Sequence, residues 1–276
     1  MRAPAPHGRP PAAFSPRRIG AMVLRHLYMY RHSWPRVLEL TYWPLVQMVL
    51  WGFITNFFVS HSTWVAQAAG VLISAVLLWD VLYRANLGLS VSFIEEMWAR
   101  NLAQIFITPL RPYEMVLSLI VMSFIRTALS VGPAALLAWP FYDVWVFAMG
   151  LPLLAFFVNL LVLGWAVGLF VSGLLVRFGL GVESLCWLGI FLLAPVSGVY
   201  YPISALPGWL QPVSWSLPSA YVFEGMRAVL FEGVFDVGLF AWAVGLNGLY
   251  LVAGTAFFLV MFRQARVHGL LLQQGE

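Results

Sequence analysis

The stretch VFAMGLPLLAFFVNLLVLGWAVGLFVSGLLV, residues 146–176, decides the fold, because it runs for 31 residues without a charged side chain. A helix of about 20 mainly apolar residues crosses the roughly 30 Å hydrocarbon core of a bilayer. The whole chain of 276 residues has 62% hydrophobic and 9% charged residues, and its mean hydropathy is +0.86. A soluble domain, in which roughly 25% of residues are charged, is therefore excluded. The sequence predicts an all-α integral membrane protein.

Five further apolar stretches extend this prediction to six transmembrane helices. The predicted spans are 38–59, 65–90, 115–137, 146–176, 185–200 and 237–262. All 15 basic residues are arginine. Twelve of them lie in the tails and alternate loops, which this topology places on one side of the membrane. Positive charge collects in cytoplasmic loops, so the N- and C-termini are predicted to be cytoplasmic.

The predicted domain organisation is simple. Residues 1–18 are rich in Pro, Ala and Arg without a signal-peptide core and are expected to be a disordered cytosolic tail. Residues 19–34 have apolar side chains at helical spacing, which predicts an interfacial amphipathic helix that anchors the first span or forms a gate or docking surface. The six-helix transmembrane domain is residues 35–262, and residues 263–276 form a second cytosolic tail.

Composition excludes several kinds of chemistry. A Walker phosphate loop and a Schiff base each need a lysine, which the chain lacks, so ATP hydrolysis is expected in another polypeptide. Cys186 is the only cysteine, and the five histidines lack metal-site spacing, so no metal site is expected. No catalytic triad or paired-carboxylate catalytic site appears in the sequence, so we expect no enzymatic activity. The net charge of +4 is explained by topology and indicates no nucleic-acid partner.

A cytoplasmic region, residues 93–110, differs from the spans around it. Within FIEEMWARNLAQIFITPLRPYE (93–114) the pattern predicts a short amphipathic helix ending at Thr108 and Pro109. Such a helix suits insertion into a groove of a soluble partner, although a helix resting on lipid headgroups has the same periodicity. The candidate docking residues are Glu95, Glu96, Met97, Trp98 and Arg100.

The outer segment, residues 200–236, is too apolar for a solvated loop. Four prolines divide it into pieces too short to span, followed by a helical piece over 219–230 that Ser219 is expected to cap. We predict re-entrant or interfacial helices that form an outer lid. Glu224 and Arg227 lie three residues apart on this piece and are predicted to form a structural pair.

Charges inside the predicted spans are functional candidates, because burying them in lipid is costly. Asp80 and Arg84 are four residues apart on one helix, which predicts a structural pair or, alternatively, a gate charge. Arg126 lies midway along the third span and is the candidate substrate-pathway residue, suited to an anionic headgroup or phosphate. The alternative is a structural contact to Asn159 or to a backbone carbonyl. Gly164 and Gly168 form a small-xxx-small pattern, which favours close helix packing.

Together these motifs resemble the permease subunit of the ABC type-2 transporter family over nearly the whole chain. The matching outer residues are Tyr201, Pro202, Leu206, Pro207, Pro218, Glu224 and Arg227, and the matching cytoplasmic ones are Glu95, Glu96, Thr108, Pro109 and Leu110. The resemblance implies a six-helix export permease with two partners. One is a second permease, with which it forms a homodimer, and the other is a separate ABC ATPase that carries the ATP and Mg²⁺.

The same resemblance implies that residues 93–110 form a coupling helix, which docks into the ATPase. An amphipathic or lipid-linked substrate would then cross the bacterial inner membrane by alternating access, without any cofactor in this chain. Two other classes remain open at this point. An ion-coupled secondary transporter would use midmembrane carboxylates, which are scarce here, and an integral membrane enzyme would need a polar catalytic cluster.

Overall fold

The computed structural model describes residues 14–31, 33–61, 63–99, 101, 105, 108–143 and 145–268, with the backbone alone for residues 36, 56, 58–61 and 63–70. These residues are mainly helical and contain no strand. The α-helices are α1 Pro16–Arg31, α2 Trp34–His61, α3 Thr63–Trp98, α4 Pro112–Tyr142, α5 Leu151–Phe178, α6 Leu185–Phe191, α7 Gln211–Trp215, α8 Pro218–Glu232 and α9 Val237–Val267. Short 3-10 turns lie at Val146–Met149, Gly179–Val182, Ala194–Val196 and Ile203–Ala205.

Five helical segments among the described residues are long and apolar enough to cross a membrane. They are Val37–Thr55, Val71–Trp98, Pro112–Tyr142, Leu151–Val182 and Val237–Val267. The chain is thus a multi-pass, all-helical membrane protein, as the sequence predicts. The predicted span 185–200 is a shorter apolar segment, in which regular α-helix ends at Phe191 and a 3-10 turn follows at Ala194–Val196. Six crossings and cytoplasmic termini stay predictions.

Proline and glycine shift several helix ends from the predicted positions. Helix α5 begins at Leu151, because Gly150 before it has a φ of 59° that ends the preceding turn. Helix α8 begins at Pro218, whose missing N–H costs no hydrogen bond in the first turn. Ser219 therefore lies inside the helix, and the expectation that it caps α8 is wrong. Gly233, with a φ of 69°, ends the same helix.

Helix α3 continues beyond the predicted span 65–90 and into the predicted docking region. It ends at Trp98, so residues 93–98 are its last turns and do not form a separate short helix. The reason is burial: Phe93, Ile94 and Met97 are at most 1% exposed and pack in a core with Met115 of α4. Residues 100, 102–104 and 106–107, including the candidate Arg100, lie outside the described residues.

Helix α5 lies at the centre of the bundle and packs mainly against α9 and α3. The contact with α3 depends on glycine. A Cβ atom built at Gly164 would lie 2.5 Å from the Ala85 Cβ and 2.6 Å from the Leu82 carbonyl oxygen, and one at Gly168 would lie 3.1 Å from the Asn86 carbonyl oxygen. The close packing that the small-xxx-small pattern predicts is confirmed.

Two hydrophobic cores mark the two ends of the bundle. One contains Phe93, Met115, Val176 and Phe262, so the end of α3, the start of α4 and the ends of α5 and α9 lie together. We call this the α1 end, because α1 packs on α4 and α2 there. The other core contains Met149, Phe156, Val199 and Phe223, and we call it the α8 end.

Candidate functional site

Helix α1 is joined to the last turn of α3 by a buried ion pair. Arg25 donates two hydrogen bonds to Glu96, from Nη1 to Oε1 at 2.7 Å and from Nη2 to Oε2 at 2.8 Å. The Glu96 side chain is 1% exposed and the Arg25 side chain 36% exposed. A bidentate guanidinium–carboxylate contact fixes the orientation of the two side chains as well as their distance. It therefore fixes the position of α1 relative to the end of α3.

A second ion pair joins α1 to the first turn of α4. Arg18 donates to Glu114 from Nε at 2.8 Å and from Nη2 at 2.6 Å, and the Ser15 N–H donates to the same carboxylate at 2.8 Å. Glu114 also accepts from the Arg111 N–H at 3.1 Å, which closes the start of α4. Arg18, predicted as the last residue of a disordered tail, therefore belongs to α1 and clamps it to α4.

The predicted docking residues separate into buried and exposed positions. Glu96 and Met97 are each 1% exposed and serve contacts within the chain. Trp98 is 50% exposed, and its indole Nε1 donates to Glu183 at 3.3 Å. Glu95 is half-buried and lines a cavity. Of the described candidates, Trp98 is thus the one with a large exposed side chain.

His26 fills the space beneath the Arg25–Glu96 pair. Its side chain is fully buried, with Nδ1 2.9 Å from the Met22 carbonyl oxygen and Nε2 3.5 Å from Glu96 Oε1. Burial lowers the pKa of His26 below its ordinary 6.5, and the positive charge of the nearby Arg25 lowers it further. The Met22 carbonyl and the carboxylates of Glu96 and Glu95 raise the pKa, but by less than burial lowers it. The buried imidazole therefore favours its neutral form.

This burial makes stability depend on pH. In the unfolded chain His26 takes up a proton as the pH falls through about 6.5, whereas in the folded protein it does so only at lower pH, so acidification favours unfolding. We expect the Tm in detergent to be lower at pH 5.5 than at pH 7.5, and His26→Gln to reduce this difference. His268→Gln, at an exposed position near the end of α9, is the matched control and leaves the difference unchanged.

Two adjoining cavities run along one side of α3, facing α2 and α6. The Arg126 cavity, of about 260 Å³, is lined by residues that include Tyr30, Glu39, Arg84, Glu95, Trp98 and Arg126. The aromatic cavity, of about 400 Å³, is lined by Trp43, Trp51, Trp79, Tyr83, Trp187, Phe191 and Tyr200 together with Glu39, Gln47, Asp80 and Arg84. They share Glu39, Arg84, Leu87 and Trp187, so the two cavities adjoin along these residues, and we call the two together the path.

Arg126 lies in the wall of this path and is 8% exposed. Its Nη1 donates to the Ser92 hydroxyl at 2.6 Å, and its guanidinium carbon lies 4.9 Å from the centre of the Tyr30 ring. The alternative contact to Asn159 is absent, since Asn159 accepts from Asn247 at 2.8 Å instead. Arg126 therefore links α4 to α3 and α1 while still lining a cavity.

Asp80 and Arg84 are brought together only loosely. Arg84 Nε lies 3.9 Å from Asp80 Oδ2, which is longer than a hydrogen bond, and both residues are more than nine-tenths buried. The guanidinium of Arg84 also lies 5.7 Å from the centre of the Tyr83 ring. The pair sits where the two cavities meet.

Glu224 and Arg227 form a clamp within residues 200–236. Arg227 Nη1 lies 3.3 Å from Glu224 Oε1, as the spacing predicts, and Arg227 Nη2 also donates to the carbonyl oxygens of Gly198, Val199 and Tyr201. Glu224 accepts from the Ile203 N–H at 2.7 Å. The two side chains thus fasten the turn before Ile203 onto α8, which positions Tyr200 in the wall of the aromatic cavity.

A family model described as "ABC-2 type transporter" matches residues 22–231. The chain belongs to the ABC-2 type transporter family. The match begins within α1 and ends within α8, so it includes the Arg25–Glu96 pair, both cavities and the clamp of Glu224 and Arg227. The resemblance drawn from the sequence motifs is confirmed. A comparison with curated proteins finds no match to this chain.

Membership in the ABC-2 family makes the chain a membrane component of a transporter, a class that is generally not catalytic. Sequence reasoning missed the Arg25–Glu96 pair of this ABC-2 protein and, within the path, Glu39. Arg25 and Glu96 are 71 positions apart, and no local pattern relates them. Glu39 could have been found, since it is a carboxylate within the predicted span 38–59, where charge is costly.

Proposed function

We propose that the chain is the permease subunit of an ATP-binding cassette exporter. It moves an amphipathic or lipid-linked substrate out of the bacterial cytoplasm across the inner membrane by alternating access, driven by a separate ATPase subunit that holds ATP and Mg²⁺. The observation that supports this most is the path of two adjoining cavities within an ABC-2 membrane domain. Its mixture of aromatic and charged walls suits a substrate with both apolar and polar parts.

The α1 end of the bundle is the cytoplasmic one in this proposal, because twelve of the 15 arginines lie in the tails and loops on the same side of the predicted topology as α1. Beside α1 lies a mainly apolar groove of about 560 Å³, lined by residues that include Arg18, Met22, Arg25, Asn101, Ile105 and Leu110. With the exposed ring of Trp98, this groove offers the ATPase a docking surface. Glu96 and Met97 then transmit movement from inside the protein and do not themselves touch the partner.

A second permease completes the proposed transporter as a homodimer. Only 17% of the residues in the span of α2, and the same share in the span of α9, are buried within one chain. Both helices therefore leave long apolar faces for lipid or for a second copy. Trp43, Gln47 and Trp51 of α2 line the aromatic cavity. A dimer that meets along α2 would enclose the path between its two copies.

Site-specific crosslinking tests the proposed partner. We expect a photoreactive amino acid at Trp98 to crosslink, in the native bacterium, to a protein that mass spectrometry identifies by a Walker motif. The same amino acid at Trp242, which is 64% exposed on α9, is the control and should capture lipid alone. The proposal is contradicted if Trp98 also captures lipid alone, or if the purified chain transports on an ion gradient without an ATPase, as a secondary transporter would.

A further inference from the structure

Asp80 and Arg84 are charged, buried and without hydrogen bonds to any residue that the structure describes. Asp80 is 6% exposed and Arg84 7% exposed, and their nearest charged atoms are 3.9 Å apart. Neither Asp80 Oδ2 nor Arg84 Nε has a hydrogen-bond partner among the described residues. Buried charges are normally both paired and hydrogen-bonded, because an unmet polar group loses its hydration without compensation. This pair is thus arranged for a polar partner that the described residues do not supply.

The position of the pair indicates where that partner binds. Both side chains line the aromatic cavity, and Arg84 also lines the Arg126 cavity. A carboxylate accepts hydrogen bonds and a guanidinium donates them, so the partner must present donors and acceptors side by side. Adjacent hydroxyl groups do this. A simple cation would face Arg84 and a simple anion would face Asp80, so neither satisfies both side chains.

Aromatic rings form the rest of the wall. Trp51 and Tyr200 are stacked, with ring centres 5.1 Å apart and planes at 20°, and Tyr83 and Phe191 have centres 5.3 Å apart. Gln47 is fixed in the same wall, where it accepts from the Trp51 indole N–H at 3.1 Å. Flat, weakly polar ring faces beside a few placed polar groups suit a ligand with one apolar face and a polar rim.

We propose that the aromatic cavity binds a saccharide ring of the transported substrate. The C–H face of the ring lies on the aromatic wall, and adjacent hydroxyls donate to Asp80 and accept from Arg84. This inference rests on the proposed export function and narrows its substrate to a molecule with a glycan part. It also changes the role of Asp80 and Arg84, which become substrate-binding residues and not merely a structural pair.

Saturation-transfer NMR on the full chain in lipid nanodiscs tests this with maltotriose as the probe. We expect saturation transfer to the sugar ring protons, and a rise in Kd of about tenfold or more for Asp80→Asn and for Arg84→Gln, since each removes a charged hydrogen-bond partner. Trp51→Ala should weaken binding and Trp51→Phe should retain most of it. The controls are Arg177→Gln and Trp242→Ala, at exposed positions outside the cavity, which should bind as the parent chain does.

The outcomes separate the saccharide site from the proposed function. Binding that is unchanged in Asp80→Asn, Arg84→Gln and Trp51→Ala, with each variant retaining the parental Tm, overturns the inference. Binding of benzyltrimethylammonium without maltotriose also overturns it and indicates an organic-cation site. The measurement needs no ATPase, so a failed Trp98 crosslink with intact sugar binding removes the export proposal alone. A Trp98 crosslink to a Walker-motif protein, together with no binding of maltotriose, removes the saccharide site alone.

Discussion

Replacing Arg25 with glutamate is expected to separate α1 from the end of α3 and to lower the free energy of unfolding by about 3 kcal/mol or more. The substitution removes both hydrogen bonds to Glu96 and places a second carboxylate beside one that is 1% exposed. A buried charge left without its partner is among the most destabilising changes a protein can undergo. The loss should appear as a lower Tm in detergent and as faster proteolysis within α1.

Charge exchange provides the decisive comparison for this prediction. The double variant Arg25→Glu with Glu96→Arg restores opposite charges across the same contact and should recover part of the lost Tm. Arg17→Glu is the matched control, because Arg17 is exposed on the same helix. Equal loss of stability in Arg17→Glu and Arg25→Glu would show that α1 responds to net charge and not to the ion pair.

Gly164→Leu is expected to disrupt the packing of α5 on α3 and to abolish accumulation of folded protein. A Cβ atom alone would lie 2.6 Å from the Leu82 carbonyl oxygen, which belongs to a helix backbone and cannot rotate away. Overpacking of this kind costs about 1–3 kcal/mol and sometimes more. Leucine adds further atoms in the same direction, so we expect a cost at or above the upper limit. Monodisperse protein in size-exclusion chromatography measures the outcome.

Gly245→Leu in α9 is the control for this substitution. A Cβ atom at Gly245 meets no other atom within 4 Å, and the position is exposed, so leucine there should be tolerated. If Gly164→Leu and Gly245→Leu gave equal yields of folded protein, α5 and α3 would not pack as closely as the structure indicates.

The parts of the fold that were predictable depend on local sequence. Long apolar runs gave the spans, because backbone hydrogen bonds in lipid must be satisfied within each segment, and the order of the proline motifs led to the family. The extension of α3 to Trp98 was not predictable, because it depends on α4 and α9 covering Phe93 and Met97. The 3-10 turn after Phe191 interrupts a run whose hydropathy alone predicts a continuous helix.

The candidate site was predictable only in part. Asp80, Arg84 and Arg126 were identified because charge within a span is rare and costly. Their neighbours were not, because hydropathy does not distinguish a tryptophan that faces lipid from one that lines a cavity. Trp51 and Tyr200, which stack together, are separated by 149 positions. Only the folded chain relates such residues.

The continuity of α3 has a mechanical consequence. One unbroken helix without proline carries Asp80 and Arg84 in its middle and Glu96 and Trp98 at its end. At about 1.5 Å per residue, the twelve residues from Arg84 to Glu96 span about 18 Å. A rigid rod of this kind transmits axial displacement without a hinge. A push applied at Trp98 would therefore reach the cavity along the helix axis, and α1, joined to the same helix through Arg25, would travel with it.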